Sequence, residues 1–182
     1  MIALAPTADA CRACRTRDCC FDREVDLTGA DVVRIAAALE VAPSTFATAL
    51  PAPADDARAF ALGAGRARLV LAQRAEPDGR RACVFLLGLG SGRRLCGLGE
   101  LAPTACRLHP SSADGPGACW RTFTADEVAP ARRALADRLD AERGAWRARV
   151  AAWNEAMAAR GGGRRAALDV FLDHVLARAA EP

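Results

Sequence analysis

The chain has 182 residues, 25 basic against 22 acidic side chains, and a formal charge of +3. That length suits a domain of ordinary size that can bury a real core without help from a metal or a disulfide. Every basic residue is Arg, and in runs such as RRALADRLDAERGAWRARV the arginines alternate with acids as on a solvated helix face, so the charge pattern does not indicate a nucleic-acid partner.

The first recognisable feature is a cysteine cluster, Cys11 to Cys20, in polar surroundings that predict an irregular loop. Thr28 followed three residues on by Asp31 reads as a capping box, and Val32, Ile35, Ala36 and Leu39 recur at helical spacing. A helix is therefore expected from Gly29 to about Glu40, and a second short one from Ser44 to Leu50. Residues 51 to 57 read as a Pro/Ala/Asp linker. Two apolar, strand-forming stretches, Arg66 to Gln73 and Ala82 to Leu87, flank Pro77-Asp78-Gly79, whose Pro fixes φ and whose Gly accepts a positive one, so they are expected to form a β-hairpin. The glycine run Gly88 to Gly92 lacks the helix a dinucleotide site needs after it and reads as a loop.

Beyond Cys119 the composition changes. Thr124 and Glu127 form a second capping box, and Leu135, Leu139, Trp146, Val150 and Trp153 supply an apolar stripe to about Arg160. Gly161 to Gly163 break that helix. A last helix is expected from Arg164 to Ala180 with Leu168, Phe171, Val175 and Leu176 inward. The pair should pack antiparallel. Residues 1–123 then form a cysteine-cluster domain and 124–182 a C-terminal helical extension. No stretch is apolar enough to span a membrane, and MIALAPTADAC lacks the features of a signal peptide, so no membrane association is expected.

These features place the chain in the cytoplasm, where thiols stay reduced, and eight cysteines there point to metal ahead of disulfides. Cys11, Cys14, Cys19 and Cys20 form C-x2-C-x4-C-C, and Cys83, Cys96, Cys106 and Cys119 follow. A C-x2-C turn brings two sulfurs onto one ion, and thiolates are soft donors that suit zinc, iron in sulfur clusters or cuprous copper. Consecutive side chains diverge on an extended backbone, so Cys19 and Cys20 either serve two centres or leave one of them a neighbouring thiol. Cys83 also fits a buried apolar position. His109, three residues after Cys106, and His174, in the last helix, read as surface or packing residues before ligands.

In order along the chain, CRACRTRDCC, VDLTGADVVRIAAAL, ACVFL and RLCGLGELAPTACRLHP resemble the YkgJ-like cysteine-cluster family, described as zinc- or iron-chelating. Cys11, Cys14, Cys19, Cys20, Cys83, Cys96 and Cys106 fall on that pattern, as do Leu27, Thr28, Asp31, Arg34, Arg107 and Pro110. The chain departs from it between Gly97 and Pro103, where the family's Tyr and Arg are missing, and at His109, which stands where an aromatic is usual. The resemblance implies that Arg34 and Arg107 lie beside the centre and offset thiolate charge.

The sequence thus describes an α+β, mostly helical protein: a small cysteine-rich metal-binding core with a short hairpin, and a C-terminal helix pair. Its expected cofactor is an iron–sulfur cluster of the 4Fe-4S type, with zinc the alternative, held by the eight cysteines. The partner is the metal or cluster, with room for a protein partner. Whether the centre is redox-active, a structural zinc module, or part of a protein-modifying enzyme related to flagellin lysine N-methylases stays open at this level.

Overall fold

The computed structural model of the protein describes residues 18–108, 125–160 and 167–177, and over 125–132 only the helix backbone. In chain order the elements are α1 (Gly29–Leu39), β1 (Ala47–Pro51), β2 (Phe60–Leu62), β3 (Gly65–Leu71), β4 (Gln73–Ala75), β5 (Arg81–Cys83), β6 (Leu86–Gly88), β7 (Arg94–Cys96), α2 (Thr104–Leu108), α3 (Ala125–Ala159) and α4 (Leu168–Ala177). Helices beside small antiparallel sheets make this an α+β fold. The chain forms two compact units, each from two stretches: Met1–Arg23 with Gln73–Asp140, and Glu24–Ala72 with Ala141–Pro182. A boundary between 123 and 124 falls outside the described residues. No helix among the described residues is long and apolar enough to cross a membrane. The longest, α3, runs about 50 Å at the usual rise per residue, but it carries charges along its length.

In the second unit, α1 starts at the capping box read from the sequence. Thr28 Oγ1 accepts from the Asp31 N–H at 3.2 Å, and the Asp31 carboxylate accepts from the Thr28 N–H at 2.9 Å. The helix ends where Glu40 turns left-handed at φ 54°. Its buried face is Val32, Ile35 and Ala36. The short helix expected from Ser44 to Leu50 is not formed. A single 3₁₀ turn, Pro43–Thr45, leads into β1, which pairs antiparallel with β3 from Ala47↔Leu71 to Pro51↔Ala67. Burying Leu69, Val70 and Leu71 requires partners for the backbone of β3, and Ala47 to Pro51 supply them, so tertiary pairing overrides local helix preference. On its other edge β3 pairs with β2, and Gly63, at φ 57°, makes the tight return between them.

The core of this unit is aromatic. Phe171 of α4 stacks on Phe60 with ring centroids 3.7 Å apart, and the edges of Trp146 and Trp153 of α3 meet it at 5.7 and 5.2 Å. Polar groups on α3 fix the register of this packing: Trp153 Nε1 donates to Ala61 O at 3.0 Å, and Asn154 accepts from Ala61 N at 2.7 Å and donates to Ala59 O at 3.0 Å. Gly29 is needed at the start of α1 because a Cβ there would lie 3.0 Å from Arg149 and 3.2 Å from Trp146. Arg58 binds Asp56 through two nitrogens and also reaches Asp26, which Arg68 meets at 2.6 Å.

The first unit is built from short ribbons. The strand expected from Arg66 to Gln73 is mostly β3, whose partners are β1 and β2, so the ribbon across the Pro77-Asp78-Gly79 turn pairs β4 with β5 instead, Gln73↔Cys83 to Ala75↔Arg81. The stretch from Ala82 to Leu87 is not continuous: it breaks at Val84 and Phe85, and β6 pairs with β7, Leu86↔Cys96 to Gly88↔Arg94. The glycine loop from Gly88 to Gly92 is the tip of that second ribbon.

Two outcomes test this account. Phe171→Ala should cost about 3–5 kcal/mol, the usual range for a buried aromatic truncation, read from urea or thermal unfolding. The hydrogen bond from the Arg58 side chain holds Asp56 down to about 2, against the raising effect of its partial burial. A carboxylate so depressed contributes stability above its unfolded value of 3.8 and loses that contribution as pH falls through about 2. Arg58→Ala should therefore be less stable than the parent near neutral pH, with the gap closing as the solution is acidified through that window.

Candidate metal centre

The described cysteines all belong to the first unit. Cys19 and Cys20 lie in the 3₁₀ turn Asp18–Cys20, not on an extended backbone. The next residue, Phe21, forms an antiparallel bridge with Ala82 of β5. Asp22 secures that bridge: its N–H donates to Arg81 O, and its Oδ1 accepts from Arg81 N, each at 2.8 Å. Cys83 closes β5 and Cys96 closes β7, opposite Leu86. Cys106 sits in α2, its N–H bonded to Pro103 O at 2.8 Å.

A small apolar cluster of Phe21, Ala82 and Leu86 forms the floor, and Cys20 and Cys83 pack against it. The guanidinium groups of Arg80 and Arg94 cover the Phe21 ring at 4.0 and 4.5 Å, an arrangement in which the ring quadrupole attracts the cations. Strand alternation then separates two faces of the β6–β7 ribbon. Leu86, Cys96 and Arg94 share the face toward the floor, and Leu87 and Leu95 are exposed on the other.

The thiols also influence one another electrostatically. Burial pushes the Cys106 thiol far above its ordinary value, Arg23 opposes this, and Cys83, Cys96 and Cys19 add to it. Burial also raises the Cys83 thiol, with a backbone hydrogen bond from Phe85 and the charge of Arg74 opposing and Cys96 and Cys19 adding. Cys19, Cys83, Cys96 and Cys106 therefore occupy one neighbourhood, although they come from separate segments. Cys19 and Cys20 differ: the first acts on the other thiols, and the second packs on the floor.

No disulfide joins the described cysteines, all of them half-buried. The donors are of the kind that soft ions choose. Among the described residues, however, no three His, Cys, Asp or Glu side chains are gathered as a set that could hold an ion. The donor chemistry fits a thiolate centre, and the described geometry does not assemble one. Cys11, Cys14, Cys119 and His109 lie outside the described residues.

Of the remaining candidates, His174 and Arg34 belong to the second unit and Arg107 to the first. His174 is in the second unit, its ring 5.1 Å from that of Trp153. Arg34, expected beside the thiols, is in the second unit too and binds carboxylates, Asp31 at 2.5 Å and Glu142 at 3.6 Å. Arg107 follows Cys106 in the last turn of α2. Arg23 and Arg74, which sequence reading passed over, are cations whose charge acts on the thiols. Arg23 was open to detection three residues after Cys20, whereas Arg74 comes near Cys83 only through the β4–β5 pairing.

The thiols also make the protein sensitive to alkali. A group whose folded pKa is raised keeps its proton on the native chain after the unfolded chain would lose it, so its contribution is present below the unfolded value and lost as pH rises past it. For Cys83 and Cys106 that value is 9.0. The chain has no Tyr, and its basic side chains are Arg, so cysteines dominate titration in this range. In metal-free, reduced protein the urea midpoint should fall as pH rises through about 9, and Cys106→Ala should flatten the fall.

Comparison with family models, with curated proteins and with solved structures returned no match in any of the three.

Proposed function

We propose that the protein binds a metal centre through cysteine thiolates, with an iron–sulfur cluster of the 4Fe-4S type as first choice and zinc as the alternative. The observation that carries this reading is the neighbourhood of Cys19, Cys83, Cys96 and Cys106, where thiols from separate segments of the chain influence one another. Several half-buried thiols brought together from separate segments, with no disulfide among the described cysteines, suit metal or reactivity better than packing alone. Cys11 and Cys14, at chelate spacing just before Cys19, would complete the donor set, and Cys119 extends it. The order of motifs that resembles the YkgJ-like family supports the same assignment.

In this reading the protein lies in a reducing, cytoplasmic compartment and its cysteine-rich part is the functional one, with the C-terminal helices completing the fold. When bound, the metal would supply either electron transfer or structural cross-linking. The chain's own contribution is to seat Cys20 and Cys83 on the Phe21–Ala82–Leu86 floor and to place Arg23 and Arg74 where they offset negative charge. Binding would release protons, because Cys83 and Cys106 must give them up to act as thiolates.

Anaerobic purification followed by iron, sulfide and zinc analysis tests the proposal. Brown protein with acid-labile sulfide is the expected result. Colourless protein with stoichiometric zinc would make the centre a zinc site, and protein without either metal would end the reading. Single variants add a sharper test. Cys19→Ser, Cys83→Ser and Cys106→Ser should lose metal, while Cys20→Ser, whose thiol is not among those that act on Cys83 and Cys106, should retain most of it.

A further inference from the structure

Between β5 and β6 the chain reverses through Val84 and Phe85, and the carbonyl groups around that reversal converge on a single side chain. Arg74 of β4 donates from Nη1 to Cys83 O at 3.2 Å and to Val84 O at 3.0 Å, and from Nη2 to Leu86 O at 2.6 Å. Its Nε donates to Glu76 at 2.9 Å, which orients the guanidinium. The contacted carbonyls lie on both sides of the reversal. Cys83 ends the ribbon paired with β4, and Leu86 begins the ribbon in which it faces Cys96. The two ribbons that carry Cys83 and Cys96 are thus bridged by two turn residues and one guanidinium, beside the packing of Ala82 and Leu86 in the apolar floor.

We infer that Arg74 is a positioning residue: by bridging the carbonyls of Cys83, Val84 and Leu86 it sets the separation of the Cys83 and Cys96 side chains. A planar fork of several N–H donors suits this task, whereas a Lys ammonium on a flexible stem presents a point charge. Carbonyls facing one another repel, so without the guanidinium the reversal opens, and Cys83 moves with β5 while Cys96 stays with β6 and β7. Gly97, whose N–H donates to Phe85 O at 2.8 Å, holds the far side of the same turn. The inference deepens the metal-binding proposal, since spacing between two thiols decides whether one ion can hold both, but its primary readout needs no metal.

The test is thiol cross-linking in reduced, metal-free protein with dibromobimane, a short bifunctional reagent, locating the Cys83–Cys96 product by peptide fragmentation. Wild-type protein should form that product, and Arg74→Gln and Arg74→Lys should each form several-fold less. Arg74→Lys keeps both stem and charge, so it carries the test alone if Arg74→Gln does not fold. Glu76→Gln, which leaves the carbonyl contacts in place, should cross-link nearly as well as wild type. Zinc titration of the same proteins should show affinity about tenfold lower in the Arg74 variants, the usual cost of losing a group that orients a ligand. Wild-type yield in Arg74→Lys would overturn the inference, since charge without the fork would then suffice. Reduced cross-linking in a protein that binds no zinc or iron would leave Arg74 in place as a positioning residue and remove the metal reading.

Discussion

The thiol-bearing unit depends on one short piece of pairing, the bridge between Phe21 and Ala82. Ala82 is completely buried there, and two hydrogen bonds between Asp22 and Arg81, one backbone to backbone and one to the Asp22 carboxylate, hold its strand against the segment that follows Cys20. A larger side chain than Ala would not fit between Phe21 and Leu86 without displacing one of them. Because the bridge joins residues far apart in sequence, the loop between them is closed at an entropic cost, which the apolar floor and the two guanidinium groups on Phe21 help to offset. The short ribbons β4–β5 and β6–β7 extend from this joint. A two-stranded ribbon alone is marginal in water, so their persistence depends on it.

The second unit meets a different constraint, a buried charge. Asp31 is wholly buried, and its carboxylate is satisfied by the Thr28 N–H, the Thr28 hydroxyl and Arg34. An isolated carboxylate at that position would cost far more than the capping box returns, so cap and ion pair are retained together. One motif therefore starts α1 and also commits Arg34 to it. The same Arg34 has the sequence position that the resemblance places beside the cysteines, and in the fold its guanidinium binds Asp31 and Glu142.

Arginine does more here than balance acids. Arg58 links Asp56 to Asp26, Arg80 and Arg94 cover an aromatic ring, and Arg74 gathers carbonyls around a turn. Each uses the planar, multi-donor head that Lys lacks. An arginine-only vocabulary thus supplies much of the polar structure among the described residues, whose sheets are small and strands short.

The sequence by itself determined whatever rests on local chemistry. Thr28 and Asp31 announce the start of α1, Trp146, Val150 and Trp153 announce the apolar side of α3, and Pro77-Asp78-Gly79 announces a reversal, because caps, helical spacing and turn residues act within a few positions. Cysteine as the candidate chemistry was also legible, since clustered thiols in polar surroundings have few other uses. Tertiary structure alone decided which strands pair across those turns, that Ala47 to Pro51 extends instead of coiling, and that Arg74 meets the backbone carbonyl of Cys83. Those outcomes turn on backbone groups finding partners dozens of residues away, and on which buried surfaces meet. Neither leaves a mark in a short window of sequence, because the same residues would pair as readily with another strand of equal length and apolarity.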